Sequence, residues 1–217
     1  RGPVLRMQQR VSRLSPGASL SGAGLATAGV LAVLFTAAPA SAHHLMELFH
    51  QSQPTVLGGL LSGLGHPVLG PDHLLFLLAL GLVGLQQSRR WMLGLLSVGL
   101  GATGLGLLLP GLPGAEFLVA LSLVAIGLVL CGRLPRLVLL PAFALHGYVL
   151  SAAVIGWEST PIAGYLVGLL ISQGLLLLLS LSVVRAWASQ AQPAQLRLLA
   201  GLLMGVGGAF AWTNLVP

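Results

Sequence analysis

The chain has 217 residues, of which 56% are apolar and only 6% are charged, against roughly 25% charged residues in soluble domains. This composition, with its thirty glycines, excludes a soluble globular protein and is typical of closely packed transmembrane helices. The net charge of +6 does not indicate nucleic-acid binding, because four of the ten arginines lie in the first thirteen positions and the others are dispersed between apolar runs. Cys131 is the only cysteine, which excludes an intrachain disulfide and a multi-cysteine metal site. We therefore expect an all-α integral membrane protein with no nucleic-acid partner.

The first 42 residues have the pattern of a secretory signal peptide. A basic stretch over residues 1–13 precedes an apolar run over residues 18–38, and small residues then offer cleavage sites after Ala40 and after Ala42. The alternative interpretation is an uncleaved first transmembrane helix, since the apolar run is about as long as a membrane requires. We expect residues 1–42 to be a cleaved signal peptide.

Residues 43–54 form the next segment, a short external tail that carries His43 and His44. Cleavage after Ala42 leaves both histidines at a free amino terminus, and cleavage after Ala40 leaves a free amine with His43 in the third position. Either end can chelate a divalent metal ion, and the third-position arrangement suits square-planar nickel or copper. The alternative is a mobile tail in which these histidines have no ligand role.

Six apolar runs follow the tail and form a predicted transmembrane domain over residues 55–217. They span approximately residues 55–85, 91–109, 116–131, 134–155, 161–187 and 196–216. Arginine occurs in every second break between these runs, beginning with Arg89 and Arg90. The positive-inside rule places the arginine-bearing breaks in the cytoplasm and the mature amino and carboxyl termini outside. We therefore predict a six-helix protein of the bacterial inner membrane.

The first run is too long for one straight crossing. About thirty helical residues measure roughly 46 Å, whereas the hydrocarbon core is about 30 Å thick. The run contains the segment His66-Pro67-Val68-Leu69-Gly70-Pro71-Asp72-His73, in which Pro71 followed by Asp72 can open a new helix. Non-helical backbone at membrane depth persists only where protein buries it or a polar cavity adjoins it. The broken first helix is therefore the predicted functional centre.

Ionisable side chains in apolar segments are costly and therefore mark candidate functional sites. His66, Asp72 and His73 supply two imidazoles and a carboxylate, which suit nickel, cobalt, iron or zinc. Asp72 has a second interpretation, in which it caps the second half-helix and orients a histidine without touching the ion. The structural alternative for all three is hydrogen bonding at the helix break without a metal.

Four further residues are candidates for an ion pathway. His146 lies in the middle of the fourth run beside Gly147, which would allow close approach of another helix; the alternative is a hydrogen-bonded core histidine. Glu116 begins the third helix, where it either favours the positive end of the helix dipole or attracts cations at the mouth of the pathway. Tyr165 and Gln173 on the fifth run could border the route, and polar packing explains them equally well.

The segment His66–His73, close behind a signal-peptide pattern and the pair His43-His44, resembles the HupE/UreJ family of nickel and cobalt permeases. The family signature is H-P-x-x-G-x-D-H in the first helix, and its members have a similar six-helix layout. The resemblance covers essentially the whole mature chain, with this motif carrying most of the specificity. It implies uptake of Ni²⁺ or Co²⁺ for metalloenzymes such as hydrogenase or urease, or for cobalamin.

Carried over position by position, the two histidines and the aspartate of the break match the signature. His146-Gly147 matches the first half of a second family motif on the fourth helix, but Leu150-Ser151 and Ala153 stand where the family often has His-Gly and then an acid. A fifth-helix histidine common in the family has no counterpart, and Gln173 lies nearby. Glu116 resembles the acidic residue that the family has at its third helix.

The sequence thus predicts a secondary metal permease rather than an enzyme, with no permanently bound cofactor and Ni²⁺ or Co²⁺ as its cargo. The ion would be collected at His43 and His44, pass the broken helix and continue past His146. No nucleotide-binding motif occurs, so the membrane potential, a coupled ion or a partner must supply energy. The alternatives are a metal sensor or assembly protein that keeps its ion, and an intramembrane metalloenzyme, for which no H-E-x-x-H element is visible.

Overall fold

The computed structural model describes residues 55–84 and 88–216, and the described residues form seven helices without a strand. The predicted signal peptide and the tail with His43 and His44 lie outside the described residues. In chain order the helices are α1 (Val56–Leu69), α2 (Pro71–Val83), α3 (Arg89–Leu108), α4 (Ala115–Leu130), α5 (Leu139–Leu150), α6 (Ser159–Gln190) and α7 (Pro193–Leu215). Short 3₁₀ turns flank α5, and a π turn over Ser180–Val184 interrupts α6.

The predicted break in the first span is present, and it falls at Gly70. There the chain bends by 69° between α1 and α2. Gly70 has extended backbone angles and donates its amide hydrogen to the carbonyl of His66, which ends α1. Pro71 then occupies the first turn of α2, where a missing amide hydrogen costs nothing.

Pro67 lies inside α1 without ending it, although an interior proline normally disrupts a helix. Because Pro67 has no amide hydrogen, the carbonyl of Gly63 one turn earlier loses its helical partner. Ser172 on α6 replaces that partner, since its hydroxyl donates to the Gly63 carbonyl at 3.2 Å. A side-chain carbon on Gly63 would collide with the carbonyl of Tyr165, so the backbones of α1 and α6 touch directly.

Within the described residues, four helices are long and apolar enough to cross a membrane, and the bent pair α1 and α2 raises the number to as many as five. The remaining apolar helix, α4, has 16 residues and therefore measures about 24 Å, less than the hydrocarbon core of about 30 Å. All six predicted apolar runs are helical, and their length and composition support four or five crossings. The sixth crossing stays a prediction.

The helices associate in close pairs, α1 with α6, α3 with α5, and α4 with α7. A side-chain carbon on Gly147 would collide with the carbonyl of Gly99, so α5 approaches α3 as closely as the sequence predicts. The α2 helix packs against α4 and α6. On α2, Phe76 is fully buried and contacts Phe143 of α5 edge to face. This packing brings the start of α2 to the middle of α5.

The arginine-bearing breaks lie at one end of the bundle. The guanidinium of Arg136 lies 5.7 Å from the centre of the Trp91 ring, which joins the α4–α5 loop to the start of α3. Arg185 near the end of α6 lies close to Gly84 at the end of α2, since a side-chain carbon added to Gly84 would lie 3.9 Å from the Cδ of Arg185. At the other end of α3, the hydroxyl of Tyr148 donates to the carbonyl of Leu109, the residue that follows that helix.

Candidate metal site

Three buried histidines meet where the first span is broken. His66 lies near the end of α1, His73 in the first turn of α2, and His146 on α5. The ring centroids of His66 and His73 are 6.0 Å apart, and those of His73 and His146 are 4.8 Å apart. All three residues are at most 5% exposed. The bend at Gly70 brings the first two together, and the third reaches them from α5.

Asp72 holds the ring of His73 in one orientation. Its Oδ1 accepts hydrogen bonds from the backbone N–H of His73 and from the ring Nδ1, both at 2.9 Å. A carboxylate can only accept, so Nδ1 carries a ring hydrogen, and in the neutral ring Nε2 keeps its lone pair. Nε2 is buried without a hydrogen-bond partner. This is the carboxylate–histidine arrangement that orients metal ligands, and it corresponds to the second interpretation of Asp72.

The ring of His146 is held at its edge and on its face. The hydroxyl of Ser122 donates its one hydrogen to the carbonyl of Val119 at 2.6 Å. It therefore accepts from His146 Nε2 at 2.7 Å, which leaves a lone pair on the buried and unpartnered Nδ1. Phe76 stacks on the ring with centroids 4.1 Å apart. Sequence reasoning missed Ser122 and Phe76, because neither residue type stands out in an apolar helix.

Tyr165 performs the same task for His66. Its hydroxyl donates to the carbonyl of Leu150 at 2.6 Å and therefore accepts from His66 Nδ1 at 2.9 Å. The Tyr165 side chain is fully buried. Its place in the structure is thus beside the predicted ligand His66, as the residue that orients the ring.

A small cavity adjoins His73, His146 and Gln173. Its volume is about 10 Å³, close to the minimum that holds one water molecule. Among the described residues, buried side-chain polar atoms without a partner occur only in these three residues: His73 Nε2, His146 Nδ1 and both amide atoms of Gln173. The other residues around the cavity are apolar: Pro67, Phe76, Leu77, Phe143 and Leu150.

The small cavity separates His66 from the other two histidines. Imidazole nitrogens bind metal ions at about 2.1 Å, so two rings that share one ion have centroids roughly 4.5 to 6.4 Å apart, depending on whether the rings lie beside or opposite each other. Both measured distances, 4.8 and 6.0 Å, meet this condition, but of the three histidines only His73 and His146 border the cavity. In the part of the chain that the structure describes, no group of three or more His, Cys, Asp or Glu side chains is arranged to hold a metal. The geometry therefore offers an imidazole pair at the cavity, and His66 lies outside the cavity lining.

Glu116 lies apart from this pair, exposed in the first turn of α4. It adjoins an open cavity of about 400 Å³ formed by the α3–α4 loop, α5 and the end of α7. The α5 helix borders both cavities: Tyr148 and Val149 face the open one, and His146 and Leu150 the small one. One helix thus adjoins both the cavity beside the carboxylate and the cavity beside the histidines.

These features define a multi-pass membrane protein with a buried imidazole pair at a broken helix. The model of the family described as HupE / UreJ protein matches residues 31–210. The chain belongs to this family, which comprises transporter and accessory proteins and is associated with nickel and cobalt transport. No curated protein and no solved structure matches the chain.

Proposed function

We propose that the protein carries Ni²⁺ or Co²⁺ across the bacterial inner membrane by way of His73 and His146. The observation that carries this proposal is the pair of unpartnered imidazole nitrogens beside one cavity. A buried polar atom without a partner costs roughly 1 to 3 kcal/mol. In the neutral rings both nitrogens offer lone pairs, so the occupant that satisfies them is an electron-pair acceptor such as a divalent transition-metal ion.

The size of the cavity and the neutral charge of its ligands favour transport of the metal ion over its permanent retention. A space of about 10 Å³ cannot hold a hydrated ion, so the ion must exchange its water for protein ligands. A closed site with four ligands keeps its metal, whereas transport needs binding that is weak enough for release. Two neutral imidazoles suit a permease better than a sensor or an assembly protein. Inward movement of a divalent cation gains about 4.6 kcal/mol per 100 mV of membrane potential.

The proposed entrance is the open cavity beside Glu116. It lies at the end of the bundle opposite the arginine-bearing breaks. The positive-inside rule assigns this opposite end to the outside. In this proposal His43 and His44 collect the ion externally, Glu116 attracts it, and it passes α5 to reach the imidazole pair and then His66. The cargo would supply metalloenzymes such as hydrogenase or urease, or cobalamin synthesis.

Uptake of radiolabelled Ni²⁺ and Co²⁺ by cells without their own high-affinity importers tests this function. We expect His73→Ala and His146→Ala to abolish uptake, and Asp72→Asn to weaken metal affinity by about 10- to 100-fold because it releases the ring of His73. Glu158→Gln is the matched control, since it also converts a carboxylate to an amide but changes an exposed residue before α6.

All proteins must be inserted at equal levels for this comparison. If the inserted wild type moves neither metal, the protein is not a nickel or cobalt permease. Metal binding without net flux would instead indicate a sensor or assembly protein. Uptake that survives both histidine substitutions would remove the imidazole pair from the route.

A further inference from the structure

We infer that the side-chain amide of Gln173 is the third ligand of the ion held by His73 and His146, bound through Oε1. This inference rests on the proposed function and adds a ligand that fixes the strength of the site. Gln173 is 2% exposed, and neither Nε2 nor Oε1 has a hydrogen-bond partner. A buried amide is normally paired, and inside a membrane no bulk water replaces the missing partner.

The hydroxyl groups of Ser172 and Thr103 donate to backbone carbonyls and not to Gln173. Ser172, the neighbour of Gln173 on α6, donates to the carbonyl of Gly63. Thr103, one helical turn after Gly99 on α3, donates to the carbonyl of Gly147 at 2.8 Å. A side-chain carbon on Gly99 would lie 3.7 Å from Oε1, so the amide oxygen faces a glycine of α3. The amide borders the cavity that it shares with the two histidines, so an occupant of this cavity could be its partner.

The number of ligands that a transition-metal ion requires also supports the amide as a ligand. First-row divalent ions take at least four ligands in most protein sites, and the imidazole pair supplies two. The described residues provide no third His, Cys, Asp or Glu in a grouping that could hold the ion. A Gln side-chain oxygen serves as a weak ligand of the transition metal in some copper sites, and Gln173 borders the same cavity as both rings. The resulting site has three neutral ligands, with water or a neighbouring group completing the coordination.

The neutral charge of this ligand predicts how substitutions act. Gln173→Leu keeps the approximate size and removes the oxygen, so it should weaken binding. Gln173→Glu keeps an oxygen and adds a negative charge, so it should tighten binding and slow release. Gln190→Leu is the matched control, because it makes the same amide-to-apolar change at an exposed residue at the far end of α6.

Titration of the purified protein in lipid nanodiscs with Co²⁺ tests the inference, with His43→Ala and His44→Ala present in every sample so that the tail histidines do not bind. The readout is the set of visible absorption bands, which depend on the number and type of ligands. We expect Gln173→Leu to lower the affinity at least about tenfold and to change the bands. Gln173→Glu should raise the affinity and also change the bands. Gln190→Leu should alter neither.

His73→Ala separates this inference from the proposed function. If His73→Ala abolishes binding while Gln173→Leu keeps wild-type affinity and bands, Gln173 is not a ligand and the proposed function stands. Lower affinity in Gln173→Leu with unchanged bands would indicate packing and would also overturn the inference. If Gln173→Leu does not fold, unchanged affinity and bands in Gln173→Glu overturn it. A wild type that binds neither Co²⁺ nor Ni²⁺ overturns the proposed function itself.

Discussion

Each of the three buried histidines donates one ring hydrogen to an oxygen that has no hydrogen to return. Ser122 and Tyr165 have used their hydroxyl hydrogens on backbone carbonyls, and Asp72 is a carboxylate. A neutral imidazole carries one hydrogen, so its partner decides which nitrogen keeps the lone pair. At His73 and His146, the nitrogen that faces the site therefore carries a lone pair and no hydrogen. An N–H group in that position would repel a cation.

Ser122→Ala should therefore weaken metal binding although Ser122 does not touch the ion. Without its acceptor, the ring of His146 can adopt either tautomer, and loss of such a partner lowers metal affinity by about 10- to 100-fold. Nitrogen NMR of the ring should change from one fixed tautomer to a mixture, and Ser122→Thr should restore the fixed form. Ser182→Ala is the control, because Ser182 is exposed and bonds only within α6. An unchanged ring spectrum in Ser122→Ala would show that the hydroxyl does not select the tautomer.

The residues of the site differ in how far the sequence predicts them. His66, Asp72, His73 and His146 stand out because ionisable groups are rare in apolar segments. Serine and phenylalanine are ordinary residues of membrane helices, so nothing in the pattern distinguishes Ser122 or Phe76 from their neighbours. Their roles come from contacts between helices, which one sequence does not specify.

At the scale of the helices, the site depends on the direct contact between α1 and α6. Gly63 lets the two backbones touch, and Ser172 supplies the hydrogen bond that Pro67 cannot make. The run of Gly and Pro predicts that the first span breaks, because two prolines interrupt it. It does not predict that α1 continues through Pro67 to Leu69, because the compensating hydroxyl lies more than a hundred residues later in the chain.

Gly63→Ala should destabilise the protein, and Gly94→Ala should not. A methyl group on Gly63 collides with the backbone of α6, and overpacking of this kind costs at least about 1 to 3 kcal/mol. At Gly94 no atom lies within 4 Å of the added carbon, and alanine in a helix is about 0.5 to 1 kcal/mol more favourable than glycine. Thermal unfolding of the detergent-solubilised variants, followed by size-exclusion chromatography, measures the difference. Equal melting temperatures would contradict the close contact.

At the scale of the whole molecule, the apolar runs predict the order of the helices but not their partners. The pairing of α3 with α5 depends on Gly99 meeting Gly147, and that of α4 with α7 on similarly small contact surfaces. Thirty glycines dispersed through the chain allow many such pairings. Gln173 could therefore be recognised as a polar residue of the fifth run, whereas its position beside His73 and His146 follows only from the assembled bundle.

The orientation of the bundle in the membrane can be measured with the protein's own cysteine. Cys131 is exposed at the end of α4, in the loop that carries Arg133, and the chain has no other cysteine. If the arginine-bearing end faces the cytoplasm, a membrane-impermeant maleimide should label Cys131 in inverted vesicles and not in intact spheroplasts.

Two variants complete this labelling experiment. Cys131→Ser should abolish labelling altogether. The double variant Cys131→Ser with Ser159→Cys moves the thiol to the exposed start of α6, across the span of α5, and should label in spheroplasts only. Labelling of Cys131 from outside would show that the bundle has the opposite orientation in the membrane. The cavity beside Glu116 would then open to the cytoplasm. An ion entering from outside would in that case meet the broken helix without passing Glu116, so this one measurement fixes the order in which the proposed ligands act.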